Sequence, residues 1–180
     1  MLHPLGWGRE DLGAVTMALM SRPLKVLILI AAAMFVAIQV FRPARTSPPS
    51  DPAQSITSAL PVPATVEAAL TRSCYDCHSH RTRWPWYSQV APVSWLIAND
   101  VNEGRGHLNF STWAAYSPVK AADKLEDIDK EVSERGMPPT SYTLIHRDAR
   151  LSDAEVAAVV AWAREQRGQL TAPPAGAVPR

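Results

Sequence analysis

Cysteine is scarce in this chain: two residues in 180, Cys74 and Cys77, three positions apart. A multi-bridge disulfide scaffold is therefore excluded, and whatever the thiols do, they do together. An excess of one charge is missing too. Eighteen Lys and Arg stand against seventeen Asp and Glu, a formal net charge of +1, and no local basic patch is visible. A nucleic-acid partner, which needs positive charge to neutralise phosphates, is not expected. No stretch alternates convincingly with period two and no internal repeat occurs, which argues against a β architecture or a solenoid. The length is too small for a large multidomain enzyme and suits one compact domain with accessories. Against only eight glycines there are sixteen prolines, unevenly spread, which marks part of the length as linker and tail.

Long apolar runs are also few. Residues 26–41, VLILIAAAMFVAIQVF, contain Gln39 as their sole polar side chain and lie between Lys25 and Arg42. At 1.5 Å per residue they span about 24 Å, short for a hydrocarbon core of roughly 30 Å unless Leu24 and the snorkelling flanks extend them. No small-residue cleavage site follows, so an uncleaved anchor is favoured over a removed signal peptide, and a buried core helix is disfavoured because the run has no polar face. Flanking charge barely orients it; initiation at Met17 or Met20 would still leave a short basic flank. Residues 1–25 precede this anchor. Residues 42–63 carry six prolines and read as an extended spacer, and residues 171–180 as a disordered tail. Residues 64–170 must then form the core.

The periodicity of that core is helical, so the fold class is all-α. Val66, Leu70, Cys74 and Cys77 place both thiols on one apolar helical face opened near Pro63. Val93, Leu96, Ile97 and Val101 make a second stripe ended by Gly104. Ala121, Leu125, Ile128 and Val132 make a third, begun at Ser117-Pro118 and stopped by Gly136. Ser152 and Glu155 form a capping box with Leu151 and Val156 as its staple, followed by Val159, Val160 and Ala163 toward Gly168.

Cys74-Tyr75-Asp76-Cys77-His78 is C-x-x-C-H, which in an exported chain reads as covalent haem attachment. Two thiols one turn apart can reach the two vinyl groups of a porphyrin while the adjoining imidazole swings under the iron. A redox dithiol would need a βαβ context. Zinc would need a fourth ligand from His80, His107 or His146 and lacks the usual paired motif. A disulfide three residues apart has no visible purpose. For the sixth iron position Met137 stands in Gly136-Met137-Pro138-Pro139, a loop that the prolines stiffen; a thioether there raises the reduction potential. Gap-filling in the core is the alternative for Met137, and His146 the alternative ligand. His80 sits too near the attachment site to cross the haem, and His107 at a helix exit.

These blocks carry a resemblance. CYDCHSHRTRWPWYSQVAPVSWLIANDV, GRGHLNFSTW and GMPPTSYTLIHRDARLSDAE resemble the haem-binding domain family of small bacterial c-type cytochromes, over residues 66–167. The resemblance implies a mono-haem, class I-like cytochrome c domain, with haem c on Cys74 and Cys77, His78 proximal and Met137 distal, and it implies no particular reaction. The Trp-Pro-Trp-Tyr segment 84–87 and the acidity of the third helix depart from ordinary small cytochromes c.

Around the motif, Trp84, Trp86, Tyr87 and Trp95 either wall the haem pocket or pack the core. Arg81 and Arg83 are candidates to neutralise haem propionates. The acids Asp123, Glu126, Asp127, Asp129, Glu131 and Glu134 form a solvated face, or a docking face for a basic redox partner. The expectation is a single-pass protein of the bacterial inner membrane, N-terminus in the cytoplasm and haem domain in the periplasm, that carries electrons and is not an enzyme. The rivals are a haem enzyme or gas sensor with an open distal site, and a haem-stabilised assembly module.

Overall fold

A computed structural model of the chain describes residues 21–172. In chain order the helices are α1 (Arg22–Ile38), α2 (Ile56–Ala59), α3 (Ala64–Ser73), α4 (Tyr75–His78), α5 (Val93–His107), α6 (Pro118–Ser133), α7 (Thr140–Ile145) and α8 (Asp153–Thr171), with short 3₁₀ turns between them and no strand among the described residues. The all-α expectation holds. Residues 1–20, with Met17 and Met20, and the proline-bearing part of the tail lie outside the described residues.

The apolar run behaves differently from its expectation. Helix α1 starts behind Ser21 with Pro23 in its first turn and stops at Ile38, so Val40 and Phe41 leave it. The Gln39 side chain causes that exit: its amide N–H donates back to the Phe35 carbonyl at 2.9 Å and across to the Ala91 carbonyl at 3.2 Å, while its oxygen accepts from the Ala91 N–H at 2.9 Å. No helix among the described residues is long and apolar enough to cross a membrane. The apolar side chains of α1 are exposed along its length.

The proline-rich segment is not a free spacer either. Asp51 caps a 3₁₀ turn at Pro52–Gln54, Ile56 is fully buried, and Leu60 and Val62 pack against the core. The Trp162 indole N–H donates to the Pro61 carbonyl at 3.0 Å. Proline sets an extended backbone, but the apolar residues between the prolines still gain by burial, at roughly 1.5–3 kcal/mol for a side chain such as isoleucine.

The scaffold is the packing of α3, α6 and α8. Ser117 caps α6 by accepting the Lys120 N–H, with Pro118 in its first turn, and Ala121, Leu125, Ile128 and Val132 are buried as the pattern required. Gly136 does not stop that helix. The chain turns at Arg135, a non-glycine residue at φ 61°, whose guanidinium donates to the Leu151 carbonyl at 2.8 Å and pairs with Asp153. Those bonds offset the cost of the left-handed conformation, roughly 1–2 kcal/mol. Helix α8 opens on the expected capping box of Ser152 and Glu155, and buries Val159 and Ala163 together with Trp162 and Gln166.

Helix α5 departs most from its pattern. It runs through Gly104 to His107, and its buried residues are Ser94, Ala98, Val101 and Gly104. Of the expected stripe Val101 is buried, whereas Val93 and Leu96 are exposed.

Candidate haem-binding site

The two cysteines do not share one helix. Helix α3 ends at Ser73, Cys74 leaves helical geometry at φ −125°, ψ −37°, and α4 is a single turn that carries Tyr75 to His78. The break follows from Tyr75, which is buried against Phe110 with ring centroids 5.1 Å apart. Anchoring that ring in the core fixes the turn and leaves the residues around it half-exposed.

Helix α5 lies directly on this turn. A Cβ built at Gly104 would come within 2.7 Å of the Cys77 carbonyl oxygen, so only glycine allows the approach. That contact brings the carbonyls of Gly104 and Leu108 to the His78 imidazole, whose Nδ1 lies 2.9 Å and 3.2 Å from them. A carbonyl can only accept, so Nδ1 carries the proton and Nε2 is left with its lone pair. Burial also pushes the His78 pKa below its ordinary value, against the raising effect of the two carbonyls. The neutral imidazole, fixed in orientation and tautomer by backbone oxygens, is the arrangement metal-ligating histidines use.

Burial pushes the Cys74 thiol up to about 12 and the Cys77 thiol up to about 11. A redox dithiol needs the opposite shift. No group of three or more His, Cys, Asp or Glu able to hold a metal ion occurs among the described residues, so nothing there adds the further ligands that the zinc reading needs. The donor set that remains, two protected thiols and one oriented imidazole, fits haem.

Asp76, inside the motif, is the centre of a polar cluster. Its carboxylate accepts from the Arg83 backbone N–H at 3.0 Å, from Arg83 Nε and Nη2 at 3.1 Å and 2.9 Å, and from the Tyr142 hydroxyl at 2.8 Å. Burial alone would raise the Asp76 carboxyl; the Arg83 and Tyr142 hydrogen bonds outweigh it and hold the group below its ordinary value. Burial and the Asp76 bond push the Tyr142 phenol upward. Helix α7 is thereby tied to the Cys74–His78 turn.

The expected pocket residues divide. Arg83 spends its guanidinium on Asp76, which takes it away from a propionate role. Arg81 lies over the Tyr75 ring, 5.3 Å from its centroid, and its side chain is exposed. Trp84 is half-buried, and its indole N–H is buried without a partner. An orphan donor of this kind suits an acceptor supplied by a bound group such as a carboxylate. Trp86 and Trp95 are exposed, so neither packs the core; the core aromatics are Tyr75, Phe110, Trp113 and Trp162.

Met137 sits in the turn between α6 and α7, held by its N–H to the Glu131 carbonyl at 3.1 Å, with its side chain exposed. His146 is bound at both nitrogens, Nε2 to the Tyr87 hydroxyl at 2.9 Å and Nδ1 to the Tyr142 carbonyl at 3.2 Å, and it stacks on the Tyr142 ring. The free nitrogen that an iron ligand requires is therefore taken. His80 Nε2 lies 3.0 Å from the Asn109 amide nitrogen, and His107 ends α5 exposed. Gly104, Asp76 and Tyr142 escaped the reading of the residues. The Gly-Arg-Gly-His string was the one signal for Gly104, and it had looked like a helix end.

The acids of α6 are partly spent within the chain. Asp129 pairs with Arg164, Glu126 with Arg167 and Asp127 with Lys124.

Comparison with known proteins agrees with this chemistry. The model of the haem-binding domain family matches residues 33–165. A cytochrome c peroxidase, Ccp, of Escherichia coli (strain K12) is 30% identical over 105 residues, which are 56% of this chain and 22% of that protein. The chain thus matches less than a quarter of that relative's length. No solved structure matches.

Proposed function

Since the chain belongs to the haem-binding domain family, we propose that it is a membrane-anchored c-type cytochrome that carries electrons, with haem bound covalently through Cys74 and Cys77. The observation that carries this reading is the His78 imidazole, tied at Nδ1 to the Gly104 and Leu108 carbonyls and free at Nε2. When bound, haem supplies a one-electron iron couple.

The chain's own residues do the rest. His78 holds the proximal position. Asp100, whose carboxyl is close enough to raise the Cys77 thiol, shares one face of α5 with Val93, Ile97 and Gly104. Tyr142 of α7 reaches the same turn through its hydrogen bond to Asp76. Residues of both helices would therefore contact a porphyrin attached to Cys77. The exposed Val93 and Leu96 on α5, and Leu144 and Ile145 on α7, are the apolar surface it would cover. The Met137 turn leads directly into α7, which supports its sulfur as the distal ligand, and Trp84 Nε1 would donate to a propionate. Covering apolar side chains and excluding water limits the reorganisation that accompanies a change of iron charge. Docking of a basic partner on α6 has less support, because Glu126, Asp127 and Asp129 already pair with cations of the chain.

The likeness to a peroxidase favours a second reading, a haem enzyme with an open distal position. Spectra of the purified ferrous protein with carbon monoxide separate the two. The carrier reading expects a low-spin protein that binds carbon monoxide slowly or not at all, and faster binding in Met137→Ala. Rapid binding by the unmodified protein overturns it in favour of the enzyme, and rapid binding unchanged in Met137→Ala removes Met137 as ligand. For localisation, the chain should stay with bacterial inner membranes through alkaline wash, its haem domain open to protease from the periplasmic side.

A further inference from the structure

Helix α1 is bolted to the haem domain. Gln39 exchanges two hydrogen bonds with the Ala91 backbone, the Trp95 indole N–H donates to the Phe41 carbonyl at 2.6 Å, Arg45 donates to the Ser88 carbonyl at 3.1 Å, and Arg105 donates to the Thr46 carbonyl at 2.8 Å. These bonds run from Gln39, the first residue after the helix, to Thr46 near the start of the proline-rich segment, and all reach residues 88–105. A domain so held keeps one orientation relative to α1.

The length of α1 says what that orientation is for. Its 17 residues rise about 25 Å, some 5 Å less than the roughly 30 Å hydrocarbon core. A span that is too short draws its flanking residues into the bilayer boundary. Here the flank is the strap and the loop it binds. Val40 and Phe41 are exposed at 79% and 73%, Trp86 at 76% and Trp95 at 39%. The Trp95 ring is open while its N–H is satisfied, which suits the amphipathic boundary where tryptophan collects. Arg42 and Arg45 follow at once in sequence, placed for anionic headgroups.

We propose that the haem domain lies on the membrane, with residues 40–45, Trp86 and Trp95 set into the headgroup layer, and does not swing on a tether. The proposal rests on the anchor reading above. It also places the face of α5 that bears Trp95 toward lipid, while Gly104, on another face of the same helix, remains against Cys77.

The test uses the full-length haem-loaded chain in vesicles of phosphatidylcholine and phosphatidylglycerol that contain a phospholipid with a photoactivatable group near its glycerol. Cross-linked peptides are mapped by mass spectrometry. Lipid adducts on residues 40–46 and 86–96, besides those on α1, are the expected result. Gln39→Ala, which removes two of the five hydrogen bonds that hold the strap, should reduce adducts on 86–96 and spare those on α1; the double variant Trp86→Ser, Trp95→Ser should reduce them several-fold with haem content unchanged. Adducts confined to α1 in the unmodified protein overturn the surface-bound orientation and leave the anchor standing. Unaltered adducts on 86–96 in all variants overturn the roles given to the strap and the tryptophans. A chain that does not stay with the vesicles after alkaline wash overturns the anchor reading first. Mass measurement showing a second copy covering Trp86 and Trp95 in place of lipid overturns the choice of occupant.

Discussion

Helices α3, α6 and α8 meet through one continuous apolar cluster, whereas α5 and α7 stand outside it and lean on hydrogen bonds. The continuous core cluster draws on α2, α3, Tyr75 of α4, the 110–116 turn, α6, Leu151 and α8, and none of its buried or flanking residues comes from α5 or α7. Those two helices are fastened by hydrogen bonds: Tyr142 of α7 to Asp76, His146 at the end of α7 to Tyr87, and Arg105 of α5 to the Ser79 carbonyl and the Thr82 hydroxyl. Net gains from such bonds are roughly 0.5–1.5 kcal/mol each, against roughly 1.5–3 kcal/mol for burying one large apolar side chain. One side of the molecule supplies its own hydrophobic centre; on the proposed reading a haem bound at Cys74, Cys77 and His78 would supply one to the other, which is how a prosthetic group becomes part of a small fold's stability.

The sharpest way to break this comparison is to withhold the haem. In Cys74→Ala, Cys77→Ala protein, hydrogen exchange should accelerate far more in α5 and α7 than in α6 and α8, by at least roughly ten-fold in protection, because the two sides open as separate units. Equal loss on both sides would show one cooperative unit and refute the division. The same variant should show no haem after denaturing electrophoresis.

The complementary change is Leu125→Ala. Leu125 is fully buried in the apolar cluster, so truncation should cost about 2–5 kcal/mol. Stability measured by denaturant should fall by that amount, with the haem still attached in the protein that folds.

Gly104→Ala attacks the haem side alone. The added methyl meets the Cys77 backbone, which cannot swing away like a side-chain tip. Overpacking of this kind costs about 1–3 kcal/mol, and displacement of the Gly104 carbonyl should also disturb His78, seen as altered iron spin state. An unchanged spectrum would mean that α5 can shift without disturbing the imidazole.

How far the sequence disclosed all this depends on which force acted. The scaffold was legible because apolar periodicity is what drives it: Ala121, Leu125, Ile128 and Val132 were read correctly, and the Ser152–Glu155 box is a local device with a local signature. The fixed spacing of C-x-x-C-H is what singles out Cys74, Cys77 and His78 as candidates, again a local signature. Helix α5 misled because only part of its apolar stripe meets the core; Val101 packs inward, while Val93 and Leu96 are exposed, and periodicity cannot tell which apolar side chains of a helix a neighbour will cover. The ties among Asp76, Arg83 and Tyr142 join residues up to 66 positions apart, which spacing along one chain does not encode. The proline-rich segment was misjudged because composition reports backbone preference and not where Ile56 comes to rest.

The smallest predicted effect tests the scaffold side without touching the haem side. Glu155 accepts from the Ser152 backbone, the Arg72 guanidinium and the Ser152 hydroxyl, and these hold its carboxyl down at about 2, against an ordinary 4.5. A carboxylate whose pKa is lower when folded binds fewer protons in the folded state. Its contribution is therefore complete above about pH 4.5 and is lost as pH falls toward 2. The side chain is about one-third exposed, so solvent screens the charge, and the benefit at neutral pH is at most about 1 kcal/mol. Glu155→Gln should accordingly be less stable than the unmodified chain at pH 7, and the gap should close between pH 4.5 and 2 in denaturant titrations. The haem spectrum should not change at any of these values. A gap that stays constant down to pH 2 would show that the cap works through shape and hydrogen bonding alone, with no part played by the carboxylate charge.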